Sequence, residues 1–177
     1  MNNPSTSAVD SPAVSPGQAA CPRIGIIGGG QLAKMTAMAA RQLGCDVNIL
    51  EKYADCPAAP LASHTLSGDW NDPVELLKLA ELADILTLEN EFVDAHSLAE
   101  LEAAGHALFP SSKTIALVQD KLIQKQTLSA AGLPMPAFRS IGNKSEIESV
   151  AADFGWPLVL KARRNGYDGK GNATLNA

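Results

Sequence analysis

Apolar residues along this chain gather in short runs, separated by stretches with helical spacing. The first run, Ile24-Gly25-Ile26-Ile27, closes on Gly28-Gly29-Gly30, which predicts a buried strand and a tight turn. Leu32, Met35, Ala39 and Leu43 then recur at helical spacing. They predict a helix over residues 31–43 with those side chains on one face and Gly44 as its C-terminal cap. Val47 to Leu50 reads as a second strand ending at Glu51. Strand, glycine turn, helix and strand make a βαβ unit, which needs a right-handed crossover and a parallel sheet.

The alternation goes on. His64 to Leu66 is a weak strand, and Asp72-Pro73 opens a helix to about Leu82, with Asp at the N-cap and Pro in the first turn. Asp84 to Leu88 is a buried strand, and residues 94–104 form a helix stopped by Gly105. Ala107 to Phe109 is a brief strand closed by Pro110. Repeated units of this length predict an open, doubly wound α/β sheet. The pattern then changes. Residues 111–131 are mostly helical with a break near Asp120, and Gly132-Leu133-Pro134-Met135-Pro136 is a rigid linker. A strand (Ala137 to Ile141), a helix (about Ser145 to Phe154) and a strand (Pro157 to Ala162) lead into a glycine-rich basic loop, Arg163 to Gly171. The expected division is a tail at 1–22, a Rossmann-like domain at 23–115, and linker helices with the start of a second, incomplete domain at 116–177.

Composition narrows the class. Residues 1–22 are rich in Ser, Pro and Ala and predict a disordered tail. At 46% hydrophobic and 19% charged residues the remainder is globular. A net charge of −5 supplies no basic field for a nucleic acid, so no nucleic-acid partner is expected. No apolar run approaches the ~18 residues of a membrane span, so no membrane association is expected. The three cysteines, Cys21, Cys45 and Cys56, form neither a disulfide framework nor a CxxC pair, and Cys45 and Cys56 read as ordinary thiols in a reducing cytoplasm. His64, His96 and His106 are scattered without metal spacing, and Trp70 and Trp156 read as packing residues.

Two glycine loops carry the candidate chemistry. Gly28 to Ala33 matches G-x-G-x-x-G/A between a strand and a helix, with Glu51 at the end of the next strand. Backbone N–H groups at a helix N-terminus attract phosphate or a similar anion, so NAD(P) and other anionic ligands both fit this loop. In the second loop four cations, Lys161, Arg163, Arg164 and Lys170, accompany the single anion Asp168. Gly166, Gly169 and Gly171 let backbone N–H groups approach a ligand. A cationic flap beside a lysine fixed at a strand end suits a polyphosphate, although the P-loop pattern is absent. A dehydrogenase has no use for such a flap. Two anion loops point to a phosphorylated substrate on the first and ATP under the second.

Four ordered motifs, GIIGGGQLAKM (25–35), TLENEFVD (87–94), VQDKLIQKQTL (118–128) followed by GLPMP, and LVLKARRNGYDGKGN (158–172), resemble the N5-carboxyaminoimidazole ribonucleotide synthetase family of ATP-grasp enzymes. The resemblance runs from Ile24 to Asn172. It implies a Rossmann-like pre-ATP-grasp domain followed by an incomplete ATP-grasp domain. The implied reaction joins bicarbonate to 5-aminoimidazole ribonucleotide at the expense of ATP, through carboxyphosphate, with Mg2+ neutralising the polyphosphate. By this resemblance ATP meets Lys121, Lys161, Gly166, Tyr167, Asp168, Gly169, Lys170, Gly171 and Asn172. The ribonucleotide meets Gly30, Gln31, Leu32, Glu89 and Glu91. The family pattern differs at Ala33 (usually Gly), Lys121 (usually Arg), Asn165 and Asn172. The resemblance also implies a homodimer in the full-length enzyme, and an adenine-binding segment and catalytic and Mg2+-ligating residues beyond residue 177, so that this stretch alone should not turn over.

Overall fold

A computed structural model describes residues 21–167 and 169–177. The expected tail falls outside them, apart from Cys21 and Pro22. Strand β1 (Ile24–Ile27) leads through the glycine turn to α1 (Gln31–Gln42) and β2 (Val47–Glu51). Then come β3 (His64–Ser67), α2 (Pro73–Glu81), β4 (Ile85–Leu88) and α3 (Ala95–Ala103). The four strands form one parallel sheet in the order β3-β2-β1-β4. The order reverses between β1 and β4, so the loops leaving their C-terminal ends flank a crevice. The expected strand at 107–109 contributes a single parallel bridge, Leu108 to Leu86, at the outer edge of β4.

Both faces of the sheet are covered, which explains the nearly unbroken apolar strands. On one face Ile26, Val47 and Ile49 pack against Ala33, Ala37 and Ala40 of α1. On the other, Ile27, Leu50 and Leu86 pack against α2, α3 and α4 (Ser112–Gln119). The α1 contact corrects the sequence reading. Its alanine face is buried, while Leu32 and Met35 are 60% and 58% exposed. A row of small side chains lets the helix lie close on the sheet, so size rather than hydropathy selects the inward face.

Helix α4 stops at Gln119 and α5 (Lys121–Ala130) begins two residues later, so the break falls at Asp120, which caps α5 by accepting from Leu122 N and Ile123 N. After α6 (Ile147–Phe154), strands β5 (Leu158–Lys161) and β6 (Asn172–Leu175) form an antiparallel hairpin. Residues 137–141 form no strand, contrary to expectation. A strand needs a paired edge, and among the described residues the second sheet holds only β5 and β6, so this segment pairs with neither.

The cysteine reading is also corrected, since Cys21 is bonded to Cys45 and only Cys56 is a free, buried thiol. The parallel pairing of Ile24 with Val47 brings the two cysteines together, a proximity that spacing along the chain does not reveal. Among the described residues no helix is long and apolar enough to cross a membrane.

Candidate functional site: a crevice between a glycine turn and a cationic hairpin

The glycine turn is already supplied with anions. Glu89, just past β4, accepts from Gly30 N at 2.6 Å and from Leu32 N at 3.2 Å. Glu51, at the end of β2, accepts from Gly29 N at 2.8 Å. Gly28 needs its positive φ of 99°, and a Cβ on Gly30 would run into the Glu89 carboxylate. Two carboxylates thus occupy the N–H groups that a dinucleotide pyrophosphate would use. Glu51 is thereby engaged with the turn. Gln31 and Leu32 are exposed beside it. The remaining acceptor capacity of a carboxylate such as Glu89 suits groups that donate, such as hydroxyls or amines.

Glu91 lies two residues further, in a polar cavity of about 200 Å³ that it shares with Phe92, Gln119, Lys121, Arg164 and Gly166. This cavity joins the end of β4 to the hairpin. Phe92, which lines it, meets Tyr167 of the hairpin edge to face, with ring centroids 5.8 Å apart.

A second, mainly apolar cavity of about 600 Å³ lies between α5, residues 136–141, α6 and the hairpin strands. Its size is within the ~300–1,000 Å³ of small-molecule sites. Phe138, Ile147, Val150 and Leu158 line it, together with Lys121 and Lys161. Lys161 is the last residue of β5, paired with Asn172, so its backbone is held by the hairpin ladder. Lys121 lines both cavities.

The hairpin's cations divide by role. Arg163 donates to Asp120 through Nε at 3.1 Å and Nη2 at 2.6 Å. These hydrogen bonds hold the Asp120 carboxyl below the usual range, against the opposing effect of burial, and push the Arg163 guanidinium up. Arg164 donates to Gln119 Oε1 at 3.0 Å. Lys170 donates to the Tyr167 hydroxyl at 2.9 Å and lies over its ring. Arg163 is therefore an anchor for the hairpin rather than a ligand-facing charge. Gly169 and Gly171 take positive φ, and a Cβ on Gly171 would press on Ala162. Asp168 lies outside the described residues.

The structure thus brings Glu91, Lys121 and Gly166 to one cavity and Lys121 and Lys161 to another, while Gly30 and Leu32 of the turn after β1 meet Glu89 from the end of β4. Gln119 and Asp120 were missed as site residues. Their sequence signals were the helix break at Asp120 and their place in the VQDKLIQKQTL motif. Among the described residues no group of three His, Cys, Asp or Glu side chains is placed to hold a metal ion.

A Rossmann-like sheet whose crevice opens onto a lysine-bearing, glycine-rich hairpin defines the class: a pre-ATP-grasp domain leading into an ATP-grasp domain. Comparison with known proteins agrees. The ribonucleotide synthetase preATP-grasp domain matches residues 21–119, and the ATP-grasp domain matches residues 126–177. The chain belongs to the ribonucleotide synthetase preATP-grasp family. Its curated relatives include the N5-carboxyaminoimidazole ribonucleotide synthase of Synechococcus elongatus, 44% identical over 93% of this chain and 41% of that protein. A phosphoribosylaminoimidazole carboxylase of Ogataea methanolica is 39% identical over 84% of this chain and 28% of that protein. Among solved structures, N5-carboxyaminoimidazole synthetase from Staphylococcus aureus complexed with ADP superposes with a TM-score of 0.82 at 35% identity, over 88% of this chain and 42% of that one. The enzyme from Aspergillus clavatus, in complex with ADP and 5-aminoimidazole ribonucleotide, gives 0.79 at 30% identity over 89% and 41%. The chain therefore spans less than half the length of these relatives.

Proposed function

We propose that this chain is part of an ATP-dependent carbon–nitrogen ligase that carboxylates 5-aminoimidazole ribonucleotide with bicarbonate, giving N5-carboxyaminoimidazole ribonucleotide, ADP and phosphate in purine synthesis. Residues 23–115 form the substrate domain, and residues 116–177 the linker helices and the beginning of the ATP-grasp domain. The observation that carries the reading is the meeting of Glu91 from the sheet edge with Lys121 and Gly166 in one cavity, while Lys121 and Lys161 line the neighbouring apolar one.

In this reading the apolar cavity receives part of the nucleotide, and Lys121 and Lys161 take its phosphates. The ammonium groups screen the charge that grows as the γ-phosphoryl group moves to bicarbonate. Backbone N–H groups from Gly166 to Gly171 cover the phosphates and exclude water, which protects carboxyphosphate from hydrolysis. The Glu89 and Glu91 carboxylates accept hydrogen bonds from the ribose hydroxyls or the exocyclic amine of the ribonucleotide, which orients that amine toward the carboxyl donor. ATP would arrive as its magnesium complex, the ion offsetting part of the polyphosphate charge.

Titration with a fluorescent ATP analogue tests the reading. ATP should displace the analogue and NADH should not, and Lys161→Ala should weaken binding at least about tenfold, as expected when a charge-assisted contact is lost. Unchanged binding by Lys161→Ala, or displacement by NADH alone, contradicts it.

A further inference from the structure

The turn after β4 and the cationic hairpin are far apart in sequence, yet one side chain holds both. Gln119, the last residue of α4, donates from Nε2 to the carbonyl oxygens of Glu91 at 2.8 Å and Val93 at 2.7 Å. Its Oε1 accepts from Arg164 Nη2 at 3.0 Å. A primary amide suits this post because it carries two donors and an acceptor at opposite corners of one plane. The next residues reinforce the link. Asp120 binds the Arg163 guanidinium, and Lys121 N donates to the Arg163 carbonyl at 2.8 Å. Phe92 on the turn touches Tyr167 on the hairpin.

We propose that Gln119 is a positioning residue that couples the two binding steps. Ordering of the hairpin by a nucleoside triphosphate fixes Arg164, Arg164 fixes the Gln119 amide, and the amide sets the Glu91–Val93 backbone for the second substrate. The inference rests on reading the hairpin as a nucleotide clamp. Coupling of this kind is reciprocal, so a ligand held at the turn steadies the hairpin in return. Gln119 acts through the elements it joins and touches no reacting atom.

Two substitutions cut one arm each. Gln119→Glu keeps an acceptor for Arg164 but puts a carboxylate against two carbonyl oxygens. Arg164→Ala removes the hairpin arm and leaves the turn arm intact. Gln119→Met, similar in length and without hydrogen bonds of this kind, serves if the charged variant fails to fold. The readout is amide hydrogen exchange on the whole chain, with and without saturating magnesium ATP. Phe92 N, bonded to Asn90 Oδ1, and Asp94 N, bonded to Asn71 Oδ1, report on the turn. Ala162 N and Lys170 N, bonded to Gly171 O and Tyr167 O, report on the hairpin. Leu86 N, bonded to Ala107 O in the sheet, verifies that each variant is folded.

In the wild type, ATP should slow exchange at all four reporters, by about fivefold or more at the turn, the low end of measured couplings. In the variants it should still slow Ala162 and Lys170 while leaving Phe92 and Asp94 unchanged. Protection of the hairpin without the turn in the wild type overturns the coupling. So does undiminished protection of the turn in both variants. ATP that protects none of the four overturns the nucleotide reading itself, a result distinct from either.

Discussion

Replacing Glu89 by alanine strips the acceptor from two backbone N–H groups, those of Gly30 and Leu32. The loss should cost about 1 kcal/mol of stability in denaturant unfolding, as for other removed helix caps. It should also expose the positive end of α1, so that inorganic phosphate raises the unfolding midpoint of Glu89→Ala and leaves the wild type unmoved. An equal response of both proteins would show that the carboxylate does not fill the turn. The turn itself was legible in Gly28-Gly29-Gly30, because a strand followed by glycines and a helical period leaves few other geometries. Its occupant was not, because Glu89 comes from a different strand, 59 residues from Gly30, and reaches the turn only through the pairing of β1 with β4.

Between elements, Asp120 has the larger consequence. It ends α4, caps α5 and anchors the hairpin through Arg163. Its carboxyl titrates below the ordinary value of 3.8, so the stabilisation is present above pH 3.8 and is lost as the pH falls through the lowered folded value. The Arg163 Nε–H resonance should therefore move toward that of free arginine on acidification. In Asp120→Asn it should lie near that position at every pH, while α5 keeps its cap through the amide oxygen. A resonance indifferent to both changes would contradict the anchor. The break at Asp120 was readable from the sequence as an interruption of helical spacing; its partner Arg163 was readable only as one more cation in a basic loop. The same limit explains α1. Periodicity marked the helix correctly, but the inward face was chosen by the fit of alanines against the sheet. Residues 137–141 have strand composition but pair with neither edge of the β5-β6 hairpin.

At the scale of the whole molecule, the start of β1 is fastened to the start of β4. Arg23 donates to Asp84 through its backbone N at 2.8 Å and through Nη2 at 2.7 Å. Hydrogen bonding to Arg23 lowers the Asp84 carboxyl to about 2 from 3.8. Because the folded value is depressed, this fastening contributes above pH 3.8 and disappears as the pH drops toward 2. Asp84→Asn should lower the melting temperature at neutral pH and narrow the gap to wild type in acid, measured by circular dichroism. A constant gap across that range would contradict it. The parallel sheet and the two-part organisation were evident from alternating strands and helices. The two cavities were not, since each is lined by segments far apart in the chain.

The hairpin and its strand-end lysine, not the glycine turn, should receive the polyphosphate. Chemical-shift mapping of the labelled chain titrated with magnesium ATP separates the two. The largest changes should fall at Lys121, Lys161 and Gly166 to Gly171. Changes centred on Gly28 to Leu32, with the hairpin unmoved, would contradict it.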